Sequence, residues 1–378
     1  MQRREPHLFR QHPRLAEHVP WMLLGGRRTP IEPLAALGRE AGGLRLYVKR
    51  DDSFARDTDA PAGPGGARAE VAGAKLRKLE FVLADAVRRH SDVLVTIGAF
   101  GSNHLYATAA CGRELGMRTI GVTMPQPSQP HARRNLRASL AVGTELSIAR
   151  GAPGVMARTA WTLGRTVATP GVHPYFGPPG GSSPLGVLGA VEAALEIAAQ
   201  VRAGEAPAPD YVFVPAGSCG LLAGLALGLE LAGLGALAVG VRVFSRSGCN
   251  EWTTRRLAGA ARALLERADP GVATALAGRS VRFRMLHDFF GTGYGRATEA
   301  GRRAIETVSR LEGLALEPTY GAKALAGMLA FMRAPGRSRE TALFVHTCRV
   351  APSERVPDAP ALGGVPRRVR AFLESEEA

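Results

Sequence analysis

Residues 212–228 read VFVPAGSCGLLAGLALG, a short apolar run that ends in a glycine-rich turn and continues as a longer apolar stretch. The first part has the β-branched and aromatic residues of a buried strand, and the second has the composition of a buried helix. Residues 95–110, VTIGAFGSNHLYATAA, repeat this order. Strands that turn directly into helices are the units of proteins built on a parallel sheet. The two stretches therefore predict an α/β fold.

The same alternation extends in both directions along the 378 residues. Short apolar runs predict strands at 44–49, 92–97, 119–124, 211–214, 237–243 and 342–346. Amphipathic stretches predict helices at 75–89, 103–115, 185–201, 221–231 and 298–311. Two segments break the pattern: 58–68, TDAPAGPGGAR, is predicted to be a mobile surface insertion, and the tail from 351 is predicted to be peripheral.

Composition argues against several classes of protein. The net charge of +15 is compatible with nucleic-acid binding, but the arginines are spread along the chain and only 6% of residues are aromatic. No run of about 18 apolar residues predicts a membrane span, and the charged opening MQRREPHLFRQHPR does not resemble a secretory signal. Four well-separated cysteines predict buried, reduced thiols and no metal site. We expect a cytoplasmic protein that binds neither nucleic acid nor membrane.

Lysine is rare in this chain. Only four of the 48 basic residues are lysines, and they stand at positions 49, 75, 78 and 323. A lysine amine can lose its proton and attack a carbonyl group, whereas a guanidinium stays protonated. Lys75 follows the small residues AGA at the predicted opening of a helix, where a flat ring can approach and the helix dipole favours the neutral amine. By itself this pattern also fits a solvated lysine at a helix start.

Two glycine-rich turns are candidate anion sites. Ser102, Asn103 and His104 open a predicted helix after a strand, where free amides bind a carboxylate or phosphate, although a simple capped turn fits as well. Consecutive amides in the turn 216–220 predict a nest for phosphate. Because neither GxGxxG nor GxxxxGK[ST] is present, a phosphate monoester fits better than a nucleotide.

Two tyrosines near glycines complete the local candidates. Tyr294 lies between two glycines and Tyr320 precedes Gly321, so both rings are open to close contacts. A phenol in such a position suits proton transfer or contact with a flat ring, and packing is the alternative for each tyrosine.

Taken together, the motifs and their order resemble the D-cysteine desulfhydrase and 1-aminocyclopropane-1-carboxylate deaminase family, which has the tryptophan synthase β-like fold of type II pyridoxal-phosphate enzymes. The resemblance covers about 29–347. It rests on TPIEPL (29–34), LYVKRDD (46–52), GAKLRKLEF (73–81), GSNH (101–104), PPGGSSPLGVLGAVEAALEI (178–197), AGSCG (216–220), GYG (293–295), LEPTYGAKALAGM (316–328) and HT (346–347).

The resemblance implies a role for each candidate residue. Lys75 would form the Schiff base with pyridoxal 5'-phosphate, Asn103 would contact the ring hydroxyl, and Thr347 would face the ring nitrogen. Ser102 and His104, together with Asn103, would receive the substrate carboxylate. Tyr294 and Tyr320 would flank the reacting atoms. The phosphate would be held by Ala216, Gly217, Ser218, Cys219 and Gly220.

The resemblance also implies an architecture and an activity. We expect a two-lobed open α/β sandwich with mostly parallel sheets, in which 1–77 and 178–378 form the larger lobe and 78–177 the smaller. The expected reaction is β-elimination on a small amino acid to give a 2-oxo acid and ammonia, in a homodimer. A β-replacement, a racemisation or another reaction on the same cofactor remains an alternative. Leu221 and Gly321 depart from the family pattern and leave open a non-catalytic cofactor-binding protein.

Overall fold

The computed structural model describes residues 5–26, 28–55, 71–348 and 364–375. The predicted insertion at 58–68 lies outside the described residues. The strands within this part are β1 Ile31–Pro33, β2 Arg45–Lys49, β3 Val93–Ala99, β4 Arg118–Met124, β5 Glu145–Ile148, β6 Pro174–Gly177, β7 Tyr211–Ala216, β8 Leu237–Arg242, β9 Phe283–Leu286 and β10 Thr341–Val345.

The described α-helices alternate with these strands. They are α1 His7–Gln11, α2 Leu15–His18, α3 Ala35–Glu40, α4 Ala74–Arg88, α5 Asn103–Glu114, α6 Pro130–Ala141, α7 Ala152–Val167, α8 Pro184–Arg202, α9 Gly220–Leu231, α10 Glu251–Ala268, α11 Pro270–Ala275, α12 Glu299–Glu312, α13 Gly321–Met332 and α14 Arg367–Glu374. Each strand and helix predicted from the sequence is present, with ends shifted by at most two residues.

The chain forms two compact units. The first contains the described residues of Met1–Asp57, Ala72–Phe81 and Ser182–Val350, and the second those of Thr58–Val71, Val82–Gly181 and Ala351–Ala378. The change of unit therefore falls within α4. The division into 1–77 with 178–378 and 78–177 stays a prediction.

The first unit is built on a sheet with the strand order β1-β2-β10-β7-β8-β9. Its neighbouring strands are parallel except for the pair of β1 and β2. Alternate residues of β7 enter different cores, since Val212 and Val214 pack with α8 and α9 whereas Phe213 packs with α12 and α13. A sheet covered by helices on both faces needs such a continuous apolar strand. This arrangement brings the carboxyl ends of β10 and β7 to one edge.

Helix α8 is long and apolar enough to span a membrane, but 78% of its most apolar window is buried inside the fold. Glycines let α9 approach it closely. A Cβ atom at Gly224 would lie 2.4 Å from the carbonyl oxygen of Val187, and one at Gly228 would lie 2.6 Å from Cβ of Ala194. These contacts make α8 a core helix of the first unit.

The second unit has a parallel sheet in the order β5-β4-β3-β6. Helix α14 packs here, with Phe372 and Val369 buried beside Phe100 and Leu136. The ring centroids of Phe100 and Phe372 are 5.4 Å apart. The prediction of a peripheral tail was wrong for α14, because its apolar residues fill a core cluster.

Candidate active site

Lys75 is the second residue of α4, and the helix start is held against the end of β10. The amide of Ala74 donates to the carbonyl oxygen of Thr347 at 3.0 Å. Gly73 has a φ of +111°, and a Cβ atom there would lie 2.6 Å from that same oxygen. Only glycine fits both constraints. The strand end that carries Thr347 and the helix start that carries Lys75 are therefore fixed together.

A buried network of ion pairs holds the first turn of α4 in place. Arg77 is 1% exposed, and its Nη2 lies 2.9 Å from Asp51 and 3.0 Å from Glu196. The Nζ of Lys49 also pairs with Glu196. The two cations keep the pKa of Glu196 well below its usual range despite burial. Removing one member would leave an unpaired buried charge, so the network fixes the helix that carries Lys75.

Burial lowers the pKa of Lys75 to about 8, partly offset by the nearby Cys348 thiol. A fully solvated lysine has a pKa near 10.4. At neutral pH the neutral fraction of Lys75 is therefore much larger than that of a solvated lysine. Lys75 is only half-buried. A reachable amine that readily loses its proton has the properties of a carbonyl-binding nucleophile.

The turn between β7 and α9 presents backbone amides. Cys219 caps α9 with a left-handed backbone, φ 62°, and its side chain makes no cap hydrogen bond. Within the described part of the chain, the amides of Gly217, Ser218 and Cys219 have no backbone acceptor, whereas the amide of Gly220 donates to the carbonyl of Ser218 at 2.8 Å. The predicted phosphate nest at 216–220 therefore offers the amides of Gly217, Ser218 and Cys219, whereas the amide of Gly220 is used within the turn.

Two polar side chains that sequence reasoning missed extend this turn. Ser218 Oγ lies 2.8 Å from Ser182 Oγ, and Lys78 Nζ donates to Ser182 Oγ at 3.2 Å. Burial and the charge of Lys75 lower the pKa of Lys78 well below its usual value. A dianion beside Lys78 would favour its ammonium form, because an opposite charge raises the pKa of an amine. The one-turn spacing from Lys75 was the available signal for Lys78.

The two predicted tyrosines meet beside this turn. Their hydroxyl oxygens are 2.7 Å apart, and a Cβ atom at Gly217 would lie 3.1 Å from Cε1 of Tyr320. Burial raises the pKa of Tyr294 to about 12 and that of Tyr320 well above its usual value. Both phenols are therefore neutral near pH 7, so the pair can hold or donate a proton.

Buried charges fix the segments that carry the tyrosines. The Glu317 carboxylate accepts from the amides of Thr319 at 2.7 Å and Tyr320 at 2.8 Å. Lys323 Nζ donates to the carbonyl of Phe290 at 2.8 Å, next to the loop that carries Tyr294. Fixed backbones on both sides keep the phenol pair in place.

The remaining predicted residues lie in the second unit, at the opening of α5. Ser102 Oγ accepts from the amide of Leu105 at 3.2 Å, which confirms it as the N-cap. The ring of His104 is buried, with its nitrogens 3.2 Å from Thr96 Oγ1 and 3.4 Å from Thr108 Oγ1. The substrate-binding roles of Ser102, Asn103 and His104 and the ring contact of Asn103 stay predictions. The His104 ring is placed to support the helix start.

The chain is similar to known proteins over most of its length. The family described as pyridoxal-phosphate dependent enzyme matches residues 68–347. D-cysteine desulfhydrase from Salmonella paratyphi B is 34% identical over 335 residues, which cover 87% of this chain and 93% of that protein.

Solved structures show the same likeness. The crystal structure of an ACC deaminase homologue has a TM-score of 0.72 and 30% identity, and the match covers 91% of this chain and 95% of that one. Threonine deaminase isoform 2 from Solanum lycopersicum shares the fold, with a TM-score of 0.57, 17% identity and coverage of 93% and 88%. These matches agree with the mostly parallel sheets of the two units. The chain belongs to the family of pyridoxal-phosphate-dependent enzymes.

Proposed function

We propose that this enzyme catalyses the β-elimination of a small amino acid with a β leaving group, D-cysteine first, to give a 2-oxo acid and ammonia. One observation carries the proposal. Beyond the carboxyl ends of the neighbouring parallel strands β10 and β7 lie a helix start that carries a lysine with a lowered pKa and a turn with available amides, and Tyr320 of the neutral phenol pair contacts that turn. The 34% identity to D-cysteine desulfhydrase supports the choice of substrate.

The residues at this edge fit pyridoxal 5'-phosphate. Its phosphate accepts several hydrogen bonds, and the turn and its neighbours offer three amides, the hydroxyls of Ser218 and Ser182, and the amine of Lys78. Its aldehyde needs a neutral amine, which Lys75 supplies. Leu221 brings no hydroxyl, so the amides, the serines and the lysine form the proposed phosphate site. Thr347 is the proposed neighbour of the ring nitrogen.

When bound, the cofactor withdraws electrons from the Cα atom of an attached amino acid and so makes the Cα proton acidic. Lys75 Nζ is the proposed base for that proton. Its lowered pKa keeps a useful neutral fraction at neutral pH, and the ion network below α4 fixes its direction. A base whose pKa is near the working pH is the most effective.

The phenol pair is proposed to act on the leaving group. Since both tyrosines are neutral, one hydroxyl can donate a proton to the departing sulfur while the other keeps the donor aligned through their 2.7 Å hydrogen bond. Tyr320 is the better candidate for the donor because it lies against Gly217 of the amide turn. Ser102, Asn103 and His104 are the proposed residues for the substrate carboxylate. A homodimer in the cytoplasm is the proposed setting.

The test is a product assay with purified enzyme and added cofactor. D-cysteine should give pyruvate, ammonia and sulfide in equal amounts, and L-cysteine and aminocyclopropane carboxylate serve as comparison substrates. Lys75→Ala is the matched control and should give none of the three products. Recovery of L-cysteine from D-cysteine would indicate racemisation. A thioether product in the presence of an added thiol would indicate β-replacement, and either result without pyruvate would overturn the proposal.

A further inference from the structure

Two buried thiols, those of Cys219 and Cys249, are in contact beside the amide turn. The Sγ atoms of Cys219 and Cys249 lie 3.6 Å apart, and the side chains are 2% and 0% exposed. Cys219 belongs to the turn between β7 and α9, and Cys249 to the turn between β8 and α10. Nothing in the proposed reaction uses either sulfur.

The two sulfurs also bind the backbone of each other's turn. Cys249 Sγ donates to the carbonyl of Ala216 at 3.0 Å, and Cys219 Sγ lies 3.7 Å from the carbonyl of Asn250. Cys219 has a left-handed backbone, which residues other than glycine adopt at an energetic cost. The contacts of the two sulfurs help to hold this conformation. The thiol pair therefore helps to shape the amide turn.

The two thiols are chemically unequal. Contact with the Cys249 thiol lowers the pKa of Cys219 to about 7 against the effect of burial, while the pKa of Cys249 is raised. Cys219 is also the N-cap residue of α9, although its side chain makes no cap hydrogen bond, and the helix dipole favours an anion at this position. A thiolate is the form of cysteine that attacks oxidants, and the neighbouring thiol is placed to resolve the product.

We propose that Cys219 and Cys249 form a disulfide on exposure to hydrogen peroxide, and that this bond weakens retention of the phosphate-bearing cofactor. The Cys219 thiolate attacks one peroxide oxygen, which gives a sulfenic acid and, after proton uptake, water. Cys249 then attacks the Cys219 sulfur, the S–O bond breaks, and a second water leaves. Two sulfurs lose two electrons in total, and the peroxide is reduced to two waters.

Disulfide formation changes the turn because the sulfurs must approach from 3.6 Å to the covalent distance of about 2.0 Å. The hydrogen bond from Cys249 to the carbonyl of Ala216 is then lost, since the sulfur no longer carries a proton. Both changes act next to the amides of Gly217, Ser218 and Cys219. The inference rests on the proposed phosphate site and is independent of the proposed substrate.

The experiment treats the holoenzyme with hydrogen peroxide and removes unbound small molecules. Peptide mapping without reductant should find Cys219 joined to Cys249, with a loss of two hydrogens. The affinity for pyridoxal 5'-phosphate, measured by absorbance titration, should fall at least about tenfold, as expected when one amide of the displaced turn no longer donates to the phosphate. Dithiothreitol should restore it.

Cys249→Ser keeps a hydroxyl donor toward Ala216 and removes the second sulfur, so peroxide should leave Cys219 unlinked and the loss of cofactor affinity that depends on the disulfide should be absent. Cys111→Ser changes a buried thiol of the second unit and should respond as the unaltered protein does. Peroxide treatment that modifies Cys348 and leaves Cys219 and Cys249 unlinked would overturn the proposal. So would a mapped Cys219–Cys249 disulfide that leaves cofactor affinity unchanged. A disulfide in a protein that never retains the cofactor would instead count against the phosphate site.

Discussion

The junctions from β3 to α5 and from β7 to α9 have the same sequence pattern, but the two helix starts are capped differently. At the first, Ser102 has an extended backbone and its own hydroxyl accepts from the amide of Leu105. At the second, Cys219 has a left-handed backbone and gives the helix no side-chain cap. The start of α5 has a side-chain cap from the protein itself, whereas the start of α9 has none and leaves amides for an external acceptor.

The glycines at the two junctions serve different neighbours. A Cβ atom at Gly101 would lie 2.2 Å from Cβ of Ala132 and 2.7 Å from Nε2 of Gln126, so this glycine allows close packing against α6. A Cβ atom at Gly220 would lie 2.3 Å from Ser182 Oγ and 2.9 Å from Lys78 Nζ. Gly101 thus allows close packing, whereas Gly220 leaves room beside two polar groups that are proposed to hold an anion.

The largest effect is expected from filling the second junction. Gly220→Val would displace Ser182 and Lys78, so cofactor affinity should fall at least about 100-fold, as for the loss of one or two hydrogen bonds to a charged group. Gly217→Val should act in the same direction and Ser218→Ala much less. Absorbance titration with pyridoxal 5'-phosphate measures all three. Equal retention in the three variants would show that the phosphate binds elsewhere.

Lys78→Met removes the charge and keeps most of the length of the side chain. Affinity for pyridoxal 5'-phosphate should fall by about ten- to 100-fold, because a hydrogen bond to a charged group is lost. Affinity for pyridoxal, which lacks the phosphate, should not change and is the matched control. A similar loss for both compounds would mean that Lys78 supports the fold and does not bind phosphate.

Tyr320→Phe tests the phenol that rests on the second junction. The ring and its packing remain, so the cofactor absorbance should be retained while turnover falls at least about tenfold, within the typical contribution of acid–base catalysis. Tyr294→Phe removes the partner of the 2.7 Å hydrogen bond and is the companion variant. Full activity of both variants on the best substrate would reduce both tyrosines to packing residues.

The smallest effect is expected at the first junction. Ser102→Ala removes the cap of α5 and should lower the free energy of unfolding by about 1 kcal/mol. Cofactor affinity should not change. Chemical denaturation measures the stability, and Ser102→Asp, which can also cap, should restore it. A stability loss that Ser102→Asp does not restore would argue against capping.

Much of this organisation was predictable because its signals are local. The central strands and their helices are long, apolar and periodic, and Lys75 stands out in a chain with four lysines. The strands β1, β5, β6 and β9 were not predicted, since they have three or four residues each and mixed burial. Short strands take their structure from a neighbour, which local sequence does not show.

The polar side of the phosphate site could not be predicted for the same physical reason. Ser182 lies 104 positions from Lys78 and 36 from Ser218 in the sequence, and only the fold joins them. The use of the Gly220 amide within the turn depends on a left-handed residue at Cys219, a position where sequence favours glycine. Local pattern predicted the amide turn, and tertiary contacts decided which donors remain available.

Borohydride reduction of the holoenzyme, followed by peptide mapping, tests most directly which amine carries the cofactor. All four lysines are in the first unit. Lys75 is half-buried, whereas Lys49, Lys78 and Lys323 are buried. We expect a pyridoxyl group on Lys75 and loss of the label in Lys75→Ala. A label on Lys49, Lys78 or Lys323 would contradict it.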